Sequence, residues 1–122
     1  MALVAYHPHF GGYDIEQNLL DKIREIAPKD HISHTHKLKH PASSEKMEKE
    51  YYRYELSQLI KRHDPFLTEA IKLVGEKESY NSNKGTNLAV VEVERGYRID
   101  EYDGKETVHH LGDEWTVIKD KK

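Results

Sequence analysis

Cysteine is absent from the 122 residues. That excludes disulfides, thiolate zinc sites and a cysteine nucleophile, and it fits a reducing compartment. Long apolar runs are absent as well. The apolar run within Met1 to His9 is shorter than a signal peptide needs, so none is expected, and nothing approaches the ~18 apolar residues of a membrane span. There is no basic excess: the net charge is −3 with nine histidines, which leaves no broad cationic footprint for nucleic acid. Nucleophile elbows, Walker A loops, dinucleotide fingerprints and zinc-protease helices do not occur. These absences lead us to expect a cytoplasmic protein with no membrane segment, no nucleic-acid partner and no bound cofactor.

What the chain does contain is charge. Asp, Glu, Lys and Arg make up 34% of it and the hydrophobic residues 36%, so one domain has a small core or completes it by pairing with further copies, and a homo-oligomer is expected. Ala2 to Tyr6 reads as a first strand, ended by Pro8. Phe10-Gly11-Gly12-Tyr13 turns into a helix from Asp14 to about Ala27. Asp14 is the expected N-cap, with Gln17 completing a capping box, and Ile15, Leu19, Ile23 and Ile26 form the apolar face. Pro28 stops this helix. Lys29 to Pro41, with His31, His34, His36 and His40 among its lysines, has no clear period and reads as a loop.

Ser43 or Ser44 caps a second helix reaching about Arg62. Met47, Tyr51, Tyr52, Leu56, Leu59 and Ile60 supply its apolar side, and Glu45, Lys46, Glu48, Lys49 and Glu50 its solvated face. Asp64-Pro65 opens a third helix with proline at the first position, and Gly75 closes it. Glu76 to Asn87 is a polar loop. Leu88 to Glu94 alternates as a strand, Glu114 to Lys119 reads as a last one, and between them Tyr97–Tyr102 and Lys105–Leu111 flank Asp103-Gly104. Asp-Gly between β-prone runs signals a hairpin, because a type I′ turn needs positive φ at both central positions. The expected fold is therefore α+β: a single small domain with an N-terminal strand and about three helices packed on a C-terminal antiparallel β-meander.

Four motifs carry a resemblance. Gly11-Gly12-Tyr13 leads into a helix; Asp64-Pro65-Phe66-Leu67 opens a helix ending at Val74-Gly75; Leu88 through Val93 forms a Leu-x-Val-Val-Glu-Val strand; and Ile99 through Val108 reads Ile-x-Glu-Tyr-Asp-Gly-x-Glu-x-Val, followed by Trp115. In order and spacing the chain resembles a family of small proteins widespread in bacteriophages and phage-derived bacterial regions. Where members commonly have a His-Arg pair before the tryptophan, this chain has Gly112-Asp113-Glu114, and its stretch from His31 to about Arg62 is longer. The resemblance implies an origin, a phage accessory protein, more than a mechanism.

Four groups of residues could carry function. Glu101, Tyr102, Asp103, Glu106 and His109 crowd the hairpin, and Glu101 and Asp103, two apart on a strand, could share a face as paired carboxylates; the plain alternative is an ordinary solvated outer face. The histidines include two His-x-His pairs, His7/His9 and His34/His36, of the kind that hold transition metals, and His31-Ile32-Ser33 matches half of a two-histidine phosphodiesterase signature. Incidental surface histidines are the alternative. The glycine turn at Gly11-Gly12 could admit an anion to a helix N-terminus, although an Asp14 cap would occupy those donors. Eight tyrosines against two phenylalanines is a surface-leaning usage, and Tyr51, Tyr52 and Tyr54 could anchor a partner or a second copy.

The reading that unites these features is a non-enzymatic counter-defence binding protein that sequesters a host protein or a small charged metabolite, for instance a signalling nucleotide. Tyr13, Glu101, Tyr102, Asp103 and Trp115 would form its surface, with Arg98 and Lys105 facing an anion. The competing readings are a metal- or histidine-dependent phosphodiesterase or nuclease using His34, His36 and a carboxylate, and a protein–protein interaction module built on Tyr51 and Tyr52.

Overall fold

The computed structural model describes residues 2–9, 12–77, 79, 84–93, 96–110 and 116–117. In chain order the elements are β1 (Ala2–Tyr6), α1 (Gln17–Ile26), α2 (Ile32–Thr35), α3 (Glu45–Leu59), α4 (Pro65–Val74), β2 (Ala89–Val93), β3 (Gly96–Tyr102), β4 (Lys105–His110) and β5 (Thr116–Val117). The fold is α+β, with four helices among the described residues. The additional one, α2, lies in the histidine-rich stretch and is a single turn whose N-cap, His31, accepts the Ser33 N–H on its ring.

The strands divide differently from the expected single meander. β2 pairs antiparallel with β1, Val4 opposite Val91, while β3, β4 and β5 form a separate sheet in the order β4-β3-β5. Alternation then gives the β1–β2 ribbon two buried faces. Ala5 and Val90 face the helices, where Ile15, Leu19, Leu20, Ile23, Leu56, Ile60, Leu67, Ala70, Ile71 and Leu88 make the larger core. Val4, Val91 and Val93 face the other way and pack on Tyr97, Ile99 and Val108 of the hairpin. The result is three layers, with the helices on one face of the ribbon and the hairpin on the other. The helices do not cover the hairpin, because β1 and β2 stand between.

Local signals explain most boundaries. Ser44 caps α3 by accepting the Met47 N–H, and Asp64 caps α4 by accepting those of Phe66 and Leu67, with Pro65 following. Gly75 ends α4 at φ 78°. Asp103 (φ 52°) and Gly104 (φ 86°) form the two-residue turn, with Tyr102 opposite Lys105. The expected Asp14 cap is corrected: α1 starts at Gln17 after an extended Glu16 whose side chain does not cap it. Ile15 is fully buried and its N–H is taken by the Ser57 hydroxyl at 3.1 Å, which keeps this segment extended, and Asp14 instead meets Arg53 at 3.3 Å. Burial raises the Asp14 carboxyl above its ordinary range against the opposing charge of Arg53.

One ion pair joins the layers. Arg62, in the α3–α4 connection, meets Glu106 of β4 with two parallel hydrogen bonds of 2.7 and 2.8 Å. Glu106 also accepts the His7 N–H at 2.8 Å, and its own N–H donates to the His7 carbonyl. The Arg62 guanidinium lies 3.4 Å from the centre of the Tyr13 ring and donates to the Ala5 carbonyl, while the Arg62 carbonyl accepts the Ala5 N–H. The Glu106 side chain is 6% exposed and that of Arg62 23%. Removing one member leaves a buried charge without its partner, so Arg62→Ala should lower stability by about 3–5 kcal/mol. The double variant Arg62→Met/Glu106→Leu should cost much less than the two single changes together. Urea unfolding of the four proteins measures this, and a single-variant loss below about 1 kcal/mol would show that the pair is not a structural tie.

Candidate functional site

The hairpin residues singled out from the sequence do not converge on one site. Arg98, Asp100 and Tyr102 lie on the outer face of β3, opposite His109, Thr107 and Lys105 of β4. Asp100 bonds both Arg98 at 3.1 Å and His109 at 2.9 Å. Tyr102 is 79% exposed. The Glu101 carboxylate accepts the Gly104 N–H at 2.7 Å, and Asp103 occupies the left-handed turn position, so the two do not form a carboxylate pair on a strand face. Glu106 points inward to Arg62. Tyr13 belongs to the interior beneath Arg62. Its hydroxyl has no hydrogen-bond partner among the described residues, and burial raises the phenol well above its ordinary value, with Arg62 opposing. Trp115, Phe10 and Gly11 lie outside the described residues.

The histidines are mostly engaged in holding the chain together. His31 Nε2 lies 2.9 Å from Asp64 and Nδ1 lies 2.8 Å from the Ser33 hydroxyl, an order of atoms that resembles a serine triad. Three facts assign it to structure instead. Ser33 is fully buried, its N–H also donates to His31 Nδ1, and Asp64 is occupied capping α4. His63 Nδ1 bonds the Tyr97 hydroxyl at 2.9 Å, and burial lowers its pKa, helped by Lys61. His34 is exposed on α2, whereas the His36 ring is buried. Among the described residues, no three His, Asp or Glu side chains are placed to hold a metal ion.

The densest polar arrangement is centred on Glu55, which the sequence pattern did not mark. Its buried carboxylate accepts from the His36 Nε2 at 2.6 Å, from His40 Nδ1, from the Lys39 N–H at 3.0 and 3.1 Å, and from the His40 N–H at 2.8 Å. All these donors come from residues 36–40. Tyr51, Tyr52 and Tyr54 surround the same point: the His36 ring stands 5.6 Å from that of Tyr52, and the His40 ring 5.8 and 5.7 Å from those of Tyr51 and Tyr54. The three tyrosines read from the sequence as an anchor for a partner or a second copy thus receive the histidine-rich segment of their own chain.

This clasp closes one side of a cavity of about 360 Å³ between α1 and α3, lined by Gln17, Leu20, Arg24, Leu38, Glu48, Lys49 and Tyr52. Helical spacing brings Leu20 and Arg24 together on α1, and Glu48, Lys49 and Tyr52 on α3. Arg24 is fixed: Nε donates to the Ser33 carbonyl at 3.0 Å, Nη2 lies 3.4 Å from the Tyr52 hydroxyl, and the guanidinium stands 5.2 Å from the Tyr52 ring centre. Neither Arg24 nor Lys49 has a carboxylate partner among the described residues. A second cavity, about 310 Å³, opens near His7, His9, Glu76, Lys77 and Asn87, but there Lys77 is already paired with Glu16 at 3.3 Å. No signal in the sequence singled out Arg24 or Lys49, because a single cation on a polar helix face is ordinary.

No protein-family model, no curated protein and no solved structure matches this chain. No helix among the described residues is long and apolar enough to cross a membrane.

The Glu55 clasp has a pH signature. Desolvation pushes its carboxyl upward, but the bonds from His40, the Lys39 N–H, His36 and the His40 N–H outweigh this and hold it down at about 2, against an ordinary 4.5. A depressed folded-state pKa gives stability that is full above the unfolded value and is lost as pH falls toward the folded one. Between about pH 4.5 and pH 2, the wild type should therefore lose more stability than Glu55→Gln. Urea midpoints of both proteins at pH 5, 4 and 3 test it, and parallel losses would remove Glu55 from the acid response.

Proposed function

We propose that this chain is a non-enzymatic binding protein that captures a small anionic metabolite in the cavity between α1 and α3. The observation that carries this reading is a pair of cations at one cavity, neither of them paired with a carboxylate among the described residues, with Arg24 pre-oriented by Ser33 and Tyr52. A fixed guanidinium loses little freedom on binding and suits the planar or tripodal geometry of carboxylate and phosphate. The cavity volume falls at the lower end of the range that small-molecule sites span. Capture without turnover is the mode of a sequestering protein, which agrees with the phage accessory role that the sequence resemblance implies, and a signalling nucleotide of the host is one such anion. Self-association belongs to the same proposal, supported by the exposed Tyr54 and Leu59 on α3.

A second reading, capture of a host protein, rests on the hairpin, where Tyr102 stands largely in solvent beside Lys105. The phosphodiesterase reading has less support, since His36 is committed to Glu55.

Native mass spectrometry of protein purified gently from its host tests the leading reading, together with calorimetric titration of small anions at low salt. Wild-type protein should carry or bind one anion per chain, with affinity falling as salt rises. Arg24→Gln should weaken binding roughly 10- to 100-fold, the loss of one or two charge-assisted hydrogen bonds. Lys49→Gln should reduce the salt dependence. Wild-type protein that carries no anion and binds none would overturn the reading.

A further inference from the structure

Resting on the anion-binding reading, we propose that the ligand is an amphipathic anion, and that Glu55 positions the apolar floor that selects it. The cavity is not uniformly polar. Leu20, fully buried on α1, and the half-buried Leu38 and Tyr52 form its base, while Arg24, Lys49 and Glu48 stand at the rim. A bare phosphate or acetate would satisfy the cations and leave this floor wet. A ligand with an apolar group attached to its charge uses both surfaces, and a volume of about 360 Å³ has room for such a group.

Leu38 is the unusual member of the floor. It sits between Lys37 and Lys39 in a stretch with no apolar period of its own, so nothing local directs it inward. What brings it to the cavity is the grip on the residues around it: His36 on one side, Lys39 and His40 on the other, all bonded to the Glu55 carboxylate. An ionised carboxylate accepts about four hydrogen bonds and donates none, so both imidazole nitrogens must be donors here. The segment cannot move off α3 without leaving a buried charge uncompensated. Glu55 does not line the cavity, and it acts on the ligand only through Leu38, as a positioning residue.

A carboxylate series tests both parts: acetate, butyrate and hexanoate, titrated at constant ionic strength and followed by NMR shifts of the full chain. In wild type the affinity should rise with length, by roughly fourfold for each methylene that becomes buried. Glu55→Gln should lower the ratio of hexanoate to acetate affinity. Leu38→Ser, which leaves the clasp in place, should lower it too, whereas Leu38→Met should keep it. Equal binding of acetate and hexanoate in wild type would overturn the amphipathic class while leaving an anion site standing. Absence of binding by all three would overturn the anion reading itself. An undiminished ratio in Glu55→Gln would overturn the positioning role of Glu55, and an undiminished ratio in Leu38→Ser would overturn the part played by Leu38.

Discussion

A carboxylate buried on the inner face of a hairpin has to be matched by a cation, and that requirement organises this molecule. Glu106 takes a strand position whose parity points it inward, toward the ribbon rather than toward water. Among the described residues Arg62 is the cation that neutralises it, and Arg62 lies 44 residues away in sequence. Meeting that partner fixes the hairpin relative to the α3–α4 connection. The remaining lone pairs of Glu106 and the backbone of Arg62 then hold β1 at His7 and Ala5. The flat face of the guanidinium lies on Tyr13 and so fixes the approach to α1. A buried pair of this kind contributes little net stability relative to apolar packing, yet it strongly disfavours every arrangement that separates its members. It specifies the arrangement more than it strengthens it.

The same device appears twice more. Glu55 binds residues 36–40 to α3, and Glu16 binds α1 to the base of the 76–87 loop through Thr86, the Asn87 N–H and Lys77. In each case one carboxylate joins segments with little apolar surface of their own. A chain with 34% charged residues has too few hydrophobic side chains to pin every loop by burial. Hydrogen bonds to buried carboxylates do that work here, because breaking them leaves a desolvated charge. His36 and His40 serve this purpose on Glu55, and His31 on Asp64.

The cavity between α1 and α3 follows from the second of these ties. Its walls come from three segments, each unexceptional alone. Arg24 and Lys49 become notable only when the fold sets them beside one opening, where neither is paired with a carboxylate among the described residues although Glu48 shares the rim. The hairpin, by contrast, carries its charges in short-range pairs along its own outer face, where Asp100 answers both Arg98 and His109. Density of polar residues along the sequence therefore pointed to the hairpin, while convergence in space points to the cavity.

The sequence alone determined the features whose physics is local. The α+β class, the Asp103-Gly104 turn, a serine cap at 43 or 44, the Asp64 cap, the stop at Gly75 and the apolar faces of α1 and α4 each depend on residues within a turn or two of one another. Tertiary structure decided the rest. It moved β2 from the meander to β1, turned Glu106 inward, kept Asp14 out of the helix cap in an extended segment held by Ser57, and drew His36 and His40 onto Glu55. Those outcomes depend on partners 15 to 99 residues apart. No period or spacing encodes them, because the free energy of a buried charge depends on what surrounds it in space and not on what precedes it in the chain.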